Sequence, residues 1–231
     1  MASASDLVLA AGAKVRDDLV SAGIVGADKV RVVRPGVRDF DRIDAATARV
    51  QLGAPALRSG AVVAGWLARV VRVKRPDRLV GAALRTPEVE YLVGGDGVLR
   101  EGLDQRAPAN LHSLGWADPA TFWSAVDLAV LTSDNEAMPY SLVEAGLAGL
   151  AAVTTNAGSA AEVVVDGVTG LVVDKDPGAV AEGVRALVAD APLRQRMGEA
   201  ARARALVEFS PERMLGEHRS AYEEALSRQH A

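Results

Sequence analysis

Two glutamates, Glu136 and Glu144, stand eight positions apart in Thr132-Ser-Asp-Asn-Glu-Ala-Met-Pro-Tyr-Ser-Leu-Val-Glu-Ala-Gly146. Carboxylates accept hydrogen bonds, so such a pair can hold hydroxyls of one polar ligand. The pattern predicts a buried strand ending at Leu131, a polar loop, and a helix beginning near Pro139. That helix start leaves amide N–H groups free around Tyr140, Ser141 and Leu142, at the positive end of the helix dipole, where a phosphate can bind. Eight helical steps return a residue to roughly the same side, which is expected to bring both carboxylates to one cleft. Plainer roles compete: Ser133 and Glu136 fit a capping box, and Glu144 fits an ordinary glutamate on a wet face. Against the second, Glu144 sits among Leu142, Val143, Ala145, Leu147 and Ala148, and a carboxylate in apolar surroundings needs a partner.

A second polar cluster follows the apolar run Ala61–Trp66. Arg69, Arg72, Lys74 and Arg75 crowd into one strand-to-helix turn. They read either as a solvated basic loop or as a phosphate clamp, with forked donors from Arg and a point charge from Lys. After Val89–Val93 comes Gly94-Gly-Asp-Gly97. The dinucleotide fingerprint fails there, because Arg100 stands where its third glycine belongs, and no Gly-Lys pair offers a phosphate loop. Gly95 and Gly97 therefore mark either a tight turn or a close backbone approach to a ligand.

Other chemistries are excluded by composition. With no cysteine there is no thiolate nucleophile, disulfide or zinc–thiolate site. His112, His218 and His230 are scattered, so no metal is expected. Asp174-Lys-Asp176 looks like a metal motif, but Asp176 precedes Pro177 and reads as a helix cap. A net charge of −4 and a pI near 5.5 argue against nucleic acid as a partner. Met1–Asp6 has no basic leader. The longest uncharged apolar run, Ala61–Ala68, is far short of the roughly 20 residues of a membrane span. A soluble, cytoplasmic protein is expected, with peripheral membrane contact left open.

The elements that must hold these residues alternate. Strands are predicted at Leu7–Ala10, Val30–Val33, Ala61–Trp66, Val89–Val93, Leu111–Leu114, Leu128–Leu131, Ala151–Thr155 and Leu171–Val173. Helical periods lie between most of them, as at Pro76–Leu84, Pro119–Val126 and Leu142–Ala148. This rhythm predicts an α/β fold, a doubly wound and mostly parallel sheet covered on both faces. Pro177–Asp190, Pro192–Glu208 and Pro211–Ser227 read as three C-terminal helices, each opened by a proline. The weaker pattern over Pro35–Ser59 divides the chain into a leading strand-helix-strand piece (residues 1–44), a Rossmann-like domain (45–208) and a final return helix (209–231).

Taken in order and spacing, Ala68-Arg69-Val70 through Lys74, Gly95-Asp-Gly97, Gly115-Trp116, Ser133–Glu136, Pro139, Glu144-Ala145, Gly149, Gly158-Ser159, Glu162-Val163-Val164 and Asp166–Leu171 resemble one family. They are similar to the C-terminal, donor-binding half of retaining glycosyltransferases of the two-domain GT-B architecture, of the group 1 or family 4 type. The resemblance implies transfer of a sugar from a nucleoside-diphosphate sugar with retained configuration and without a metal. By the same resemblance, Arg69 and Lys74 hold the diphosphate, while Glu136 and the amides of Ala137 and Met138 bind the sugar. Tyr140, Ser141 and Leu142 meet the distal phosphate, Glu144 takes the ribose, and Gly95, Gly97 and Trp116 complete the donor site. Glu136, Arg69 and Lys74 would act in catalysis. The sequence departs from the family where Ala68, Ala137 and Ala151 replace a glycine, a glycine and a proline. The family's N-terminal acceptor domain is represented only by its last strand-helix-strand. Implied partners are a nucleotide sugar and either an acceptor-domain chain or a second copy. A nucleotide-sugar binding subunit and a sugar-nucleotide epimerase are the alternatives, and the Lys74 loop with Asp134–Glu136 favours the transferase over the epimerase.

Overall fold

The computed structural model describes residues 5–229. His230 and the start of the leader reading, Met1–Ala4, lie outside the described residues. All eight predicted strands form. The first two, β1 (Val8–Ala10) and β2 (Val30–Val32), pair in parallel as a small sheet of their own, joined by helix α1 (Ala13–Ser21). Ala10, Val25 and Val30 are buried there as a separate apolar cluster.

The other six strands form one parallel sheet. They are β3 (Val63–Leu67), β4 (Glu90–Gly94), β5 (Leu111–Gly115), β6 (Leu128–Leu131), β7 (Ala152–Thr155) and β8 (Gly170–Val173), in the order β5-β4-β3-β6-β7-β8. Alternation along each strand divides the core. Leu128 and Val130 of β6 pack with helix α3 (Pro76–Arg85), while Ala129 and Leu131 face the opposite side. Helix α8 (Pro177–Ala189) joins α3 on the first face. Helices α5 (Pro119–Ser124) and α6 (Tyr140–Leu147) cover the second. Burial on both faces is why these strands read as continuous apolar runs.

Helices α9 (Ala191–Glu208) and α10 (Pro211–Gln229) follow α8, each of the three with proline in its first turn. Asp176 caps α8 by accepting from the amides of Gly178 (2.7 Å) and Ala179 (3.1 Å), the cap role expected of it. The region of weak pattern holds an unforeseen helix, α2 (Ala45–Gln51), capped by Asp44 and buried through Ala48 against the second face. Two one-turn helices, α4 (Arg100–Asp104) and α7 (Ala160–Val163), were also not foreseen. They are too short to show a period.

The leading unit is anchored by long-range polar contacts. Glu162 on α7 accepts from the amides of Ala13 (2.9 Å) and Lys14 (3.0 Å), capping α1 from across the sequence. Gly12, the N-cap residue itself, offers no side chain for that purpose. Arg31 pairs with Glu224 of α10, and the Val37 amide donates to the Phe209 carbonyl at 2.8 Å. Among the described residues, no helix is long and apolar enough to cross a membrane.

Candidate functional site

In the six-stranded sheet the chain leaves β3 toward β4 and β5, then returns to place β6 on the other side of β3. That reversal is a topological switch point, and in open parallel sheets ligands bind beyond the carboxyl ends of the strands there. The loops flanking this crevice are the Ala68–Arg75 turn after β3 and the Thr132–Pro139 loop before α6. Both clusters singled out in the sequence therefore converge on one place.

The two loops are sewn together. The Trp66 indole N–H donates to Thr132 Oγ1 (2.9 Å), and that hydroxyl donates to the Lys74 carbonyl (2.9 Å). The Asp134 amide donates to the Val73 carbonyl at 2.8 Å. Arg78, nearly fully buried on α3, binds the carbonyls of Thr132 and Ser133 and reaches Asp134 at 2.8 Å. Burial pushes the Asp134 carboxyl up, but Arg78 and Arg75 outweigh it and hold it below the usual range. Arg75 is the only non-glycine with positive φ (+52°) among the described residues, and its guanidinium also binds Asp77.

At the centre, Lys74 Nζ meets Glu136 Oε1 at 2.5 Å, and Ser133 Oγ donates to the same oxygen at 2.6 Å. The Ser133–Glu136 contact thus links two side chains and is not a capping box. The helix starts four residues later, at Tyr140, with Pro139 as its N-cap and no side-chain cap. Residues 136–139 are consequently non-helical, and the eight-step argument for aligning Glu136 with Glu144 does not hold. Of the helix-start amides, Leu142 donates to the Pro139 carbonyl at 3.0 Å, a correction to the expectation that it is free. Among the described residues, the Tyr140 and Ser141 amides have no acceptor. Ala137 is exposed, whereas the Met138 side chain belongs to the core.

Glu144 lies about one turn into α6. Burial pushes its carboxyl above the usual range; a long contact from Trp123 Nε1 (3.4 Å) opposes this only in part, and Asp118 adds like charge. Arg69 is exposed, and among the described residues its guanidinium has no hydrogen-bond or ion-pair partner.

The glycine loop after β4 borders the same crevice. Gly95 has φ +122°, and a Cβ there would lie 2.0 Å from the Ala68 carbonyl oxygen. The Val70 amide donates to the Asp96 carbonyl (2.8 Å), and the Gly95 amide to the Gly115 carbonyl (2.6 Å). Close approach does require these glycines, but the approaching backbone is the chain's own. Trp116, next in line after β5, is 81% exposed. On the far side, the Ser159 amide donates to the Glu136 carbonyl at 2.9 Å. Loops from five successive strand ends are thus hydrogen-bonded into one rim. The sequence reading missed Arg78, Thr132 and Asp134 as its stitching; a charged residue on the apolar face of α3 was the available signal.

With this rim in view, comparison with known proteins is decisive. The family model described as Glycosyl transferases group 1 matches residues 53–204. The chain belongs to that family. Among relatives of this group 1 glycosyltransferase chain is the D-inositol 3-phosphate glycosyltransferase of Mycobacterium sp. (strain KMS), 33% identical over a 200-residue alignment, with 78% of this chain and 44% of that protein covered. Another is the alpha-maltose-1-phosphate synthase of Mycolicibacterium smegmatis, 28% identical, with 90% and 60% covered. The chain spans about half the length of the inositol-phosphate glycosyltransferases it matches. Its fold is that of GT-B glycosyltransferase structures. Sucrose-phosphate synthase from Thermosynechococcus elongatus superposes with TM-score 0.83 at 22% identity, covering 96% of this chain and 59% of that one. Anabaena Alr3699/HepE, solved with UDP-glucose, gives 0.83 at 24% identity, with 96% and 64% covered.

Proposed function

We propose that this chain carries the donor half of a retaining glycosyltransferase, binding a nucleoside-diphosphate sugar in the crevice at the β3–β6 switch point. The observation that carries the reading is the meeting of Lys74 with Glu136 there, beside the unpaired amides of Tyr140 and Ser141. Lys74 and Arg69 take the diphosphate, and the start of α6 takes its distal phosphate. Glu136, with the Ala137 and Met138 amides, holds the sugar hydroxyls; Glu144 takes the ribose, and Gly95, Gly97 and Trp116 border the nucleoside end. As the sugar departs, negative charge grows on the leaving phosphate. Cations and helix amides already seated around the bound diphosphate lower the barrier as that charge grows. Positive charge at the diphosphate comes from these groups, so binding is expected to survive a chelator. Retention is read from the anomeric configuration of the product.

Transfer requires an acceptor held against the donor, so binding is the primary test. Matched pairs of UDP, GDP and ADP with their sugar derivatives are added and thermal unfolding is followed. A ligand at a hundred times its Kd stabilises the native state by about 2.7 kcal/mol, a shift of several degrees. UDP-glucose is the first to try, because Alr3699/HepE has been solved with it. No shift with any of the pairs overturns the reading.

A further inference from the structure

Lys74 and Glu136 serve different parts of the proposed donor, yet here they satisfy each other. Their side chains are 17% and 7% exposed, and Nζ lies 2.5 Å from Oε1. The backbone that carries Glu136 has nowhere to retreat. Asp134 is clamped by Arg75 and Arg78 on one side, and the Glu136 carbonyl is held by Ser159 on the other. A Cβ at Gly158 would stand 2.3 Å from that carbonyl oxygen, so the following loop already touches it. Lys74, on a flexible four-carbon stem, is therefore the partner that moves.

The consequence differs for two ligands. A free nucleoside diphosphate draws Lys74 away and leaves Glu136 with Ser133 alone. Stripping one partner from a withdrawn ion pair is costly because the remaining charge is uncompensated. A nucleoside-diphosphate sugar draws Lys74 away as well, but its hydroxyls donate to Glu136 in return. We propose that the Lys74–Glu136 pair discriminates the sugar-bearing nucleotide from the free one, with Glu136 as a resident counter-charge that only the sugar replaces. Re-formation of the pair after transfer then favours release of the nucleotide product. This inference rests on the function proposed above.

The test is calorimetric titration of the wild type, Glu136→Gln and Glu136→Ala with UDP and UDP-glucose, and with GDP/GDP-mannose and ADP/ADP-glucose as further matched pairs. The wild type is expected to prefer the sugar form. Both variants are expected to bind the free diphosphate roughly fivefold or more tighter than the wild type, because Lys74 is released, and the sugar form on the order of tenfold weaker. Variants that bind the free diphosphate no tighter, while the wild type binds both ligands of a pair, overturn the discrimination and leave the donor site standing. A wild type that binds no member of any pair overturns the proposed function and this inference together. Two different side chains guard against one variant failing to fold.

Discussion

Withdrawn carboxylates sit at both ends of the six-stranded sheet, and their surroundings differ in kind. At the amino edge Glu90, 3% exposed, accepts from Arg58 Nε at 2.5 Å through one oxygen and contacts His112 Nε2 at 2.8 Å through the other. Burial pushes its carboxyl up, yet these two partners outweigh burial and hold it below the usual range. At the carboxyl edge Glu144 has one long contact and stays above that range. Among the described residues, the Arg69 guanidinium and the first two amides of α6 are likewise unmatched there. What separates the edges is satisfaction: an edge whose polar groups close on one another is structural, and an edge with groups left over is poised for a ligand.

The largest break in this comparison comes from Lys74→Ala, which removes the ligand's cation and strips Glu136. Affinity for the nucleotide sugar is expected to fall on the order of 100-fold, since hydrogen bonds to charged groups contribute about 1.5–3 kcal/mol. Calorimetry returning the wild-type affinity would take Lys74 out of the site. Glu90→Gln should do the reverse, costing about 1–3 kcal/mol in denaturant unfolding at neutral pH while nucleotide affinity stays put. Because the folded-state pKa of Glu90 is lowered, its contribution is present above the ordinary carboxylate range and lost as pH falls through it. The gap between variant and wild type should therefore close in acid. A loss of nucleotide affinity in this variant would erase the distinction between the edges.

Arg69→Ala is a smaller change: roughly tenfold weaker binding, with stability altered by no more than about 0.5 kcal/mol, because its side chain has no partner to lose. Glu144→Gln sharpens the contrast further. It should cut the preference for a ribonucleotide over its 2′-deoxy analogue; equal losses for both would contradict the ribose role. A raised folded-state pKa means that the native state holds its proton longer than the unfolded chain, so wild-type stability declines as pH rises through that window. The variant lacks this decline and should melt slightly higher at neutral pH, with the advantage gone in acid. The weakest effect is self-association through exposed Leu215, Tyr222 and Leu226 of α10 and Ile24 of the leading unit. Sedimentation finding a non-associating monomer at high concentration would remove it.

Element identity was legible because it is a local property. Strand and helix periods within a few residues marked the eight strands, the helices between them and the three proline-opened helices at the end. Legibility failed where the pattern was short or the cue ambiguous: α2 spans only seven residues, and Ser133 with Glu136 mimicked a cap although Pro139 delays the helix to Tyr140. The residue types at the site, two glutamates, a cationic turn and a glycine loop, were also visible in one dimension. Their mutual satisfaction was not. Lys74 meets Glu136 across 62 positions, and Glu162 caps α1 across 149. Which strand lies beside β3 decides the first contact, and the seating of the leading unit decides the second. Propensity acts between near neighbours in the chain, whereas strand order and the balance of buried charge are settled only when distant segments are brought out of water together.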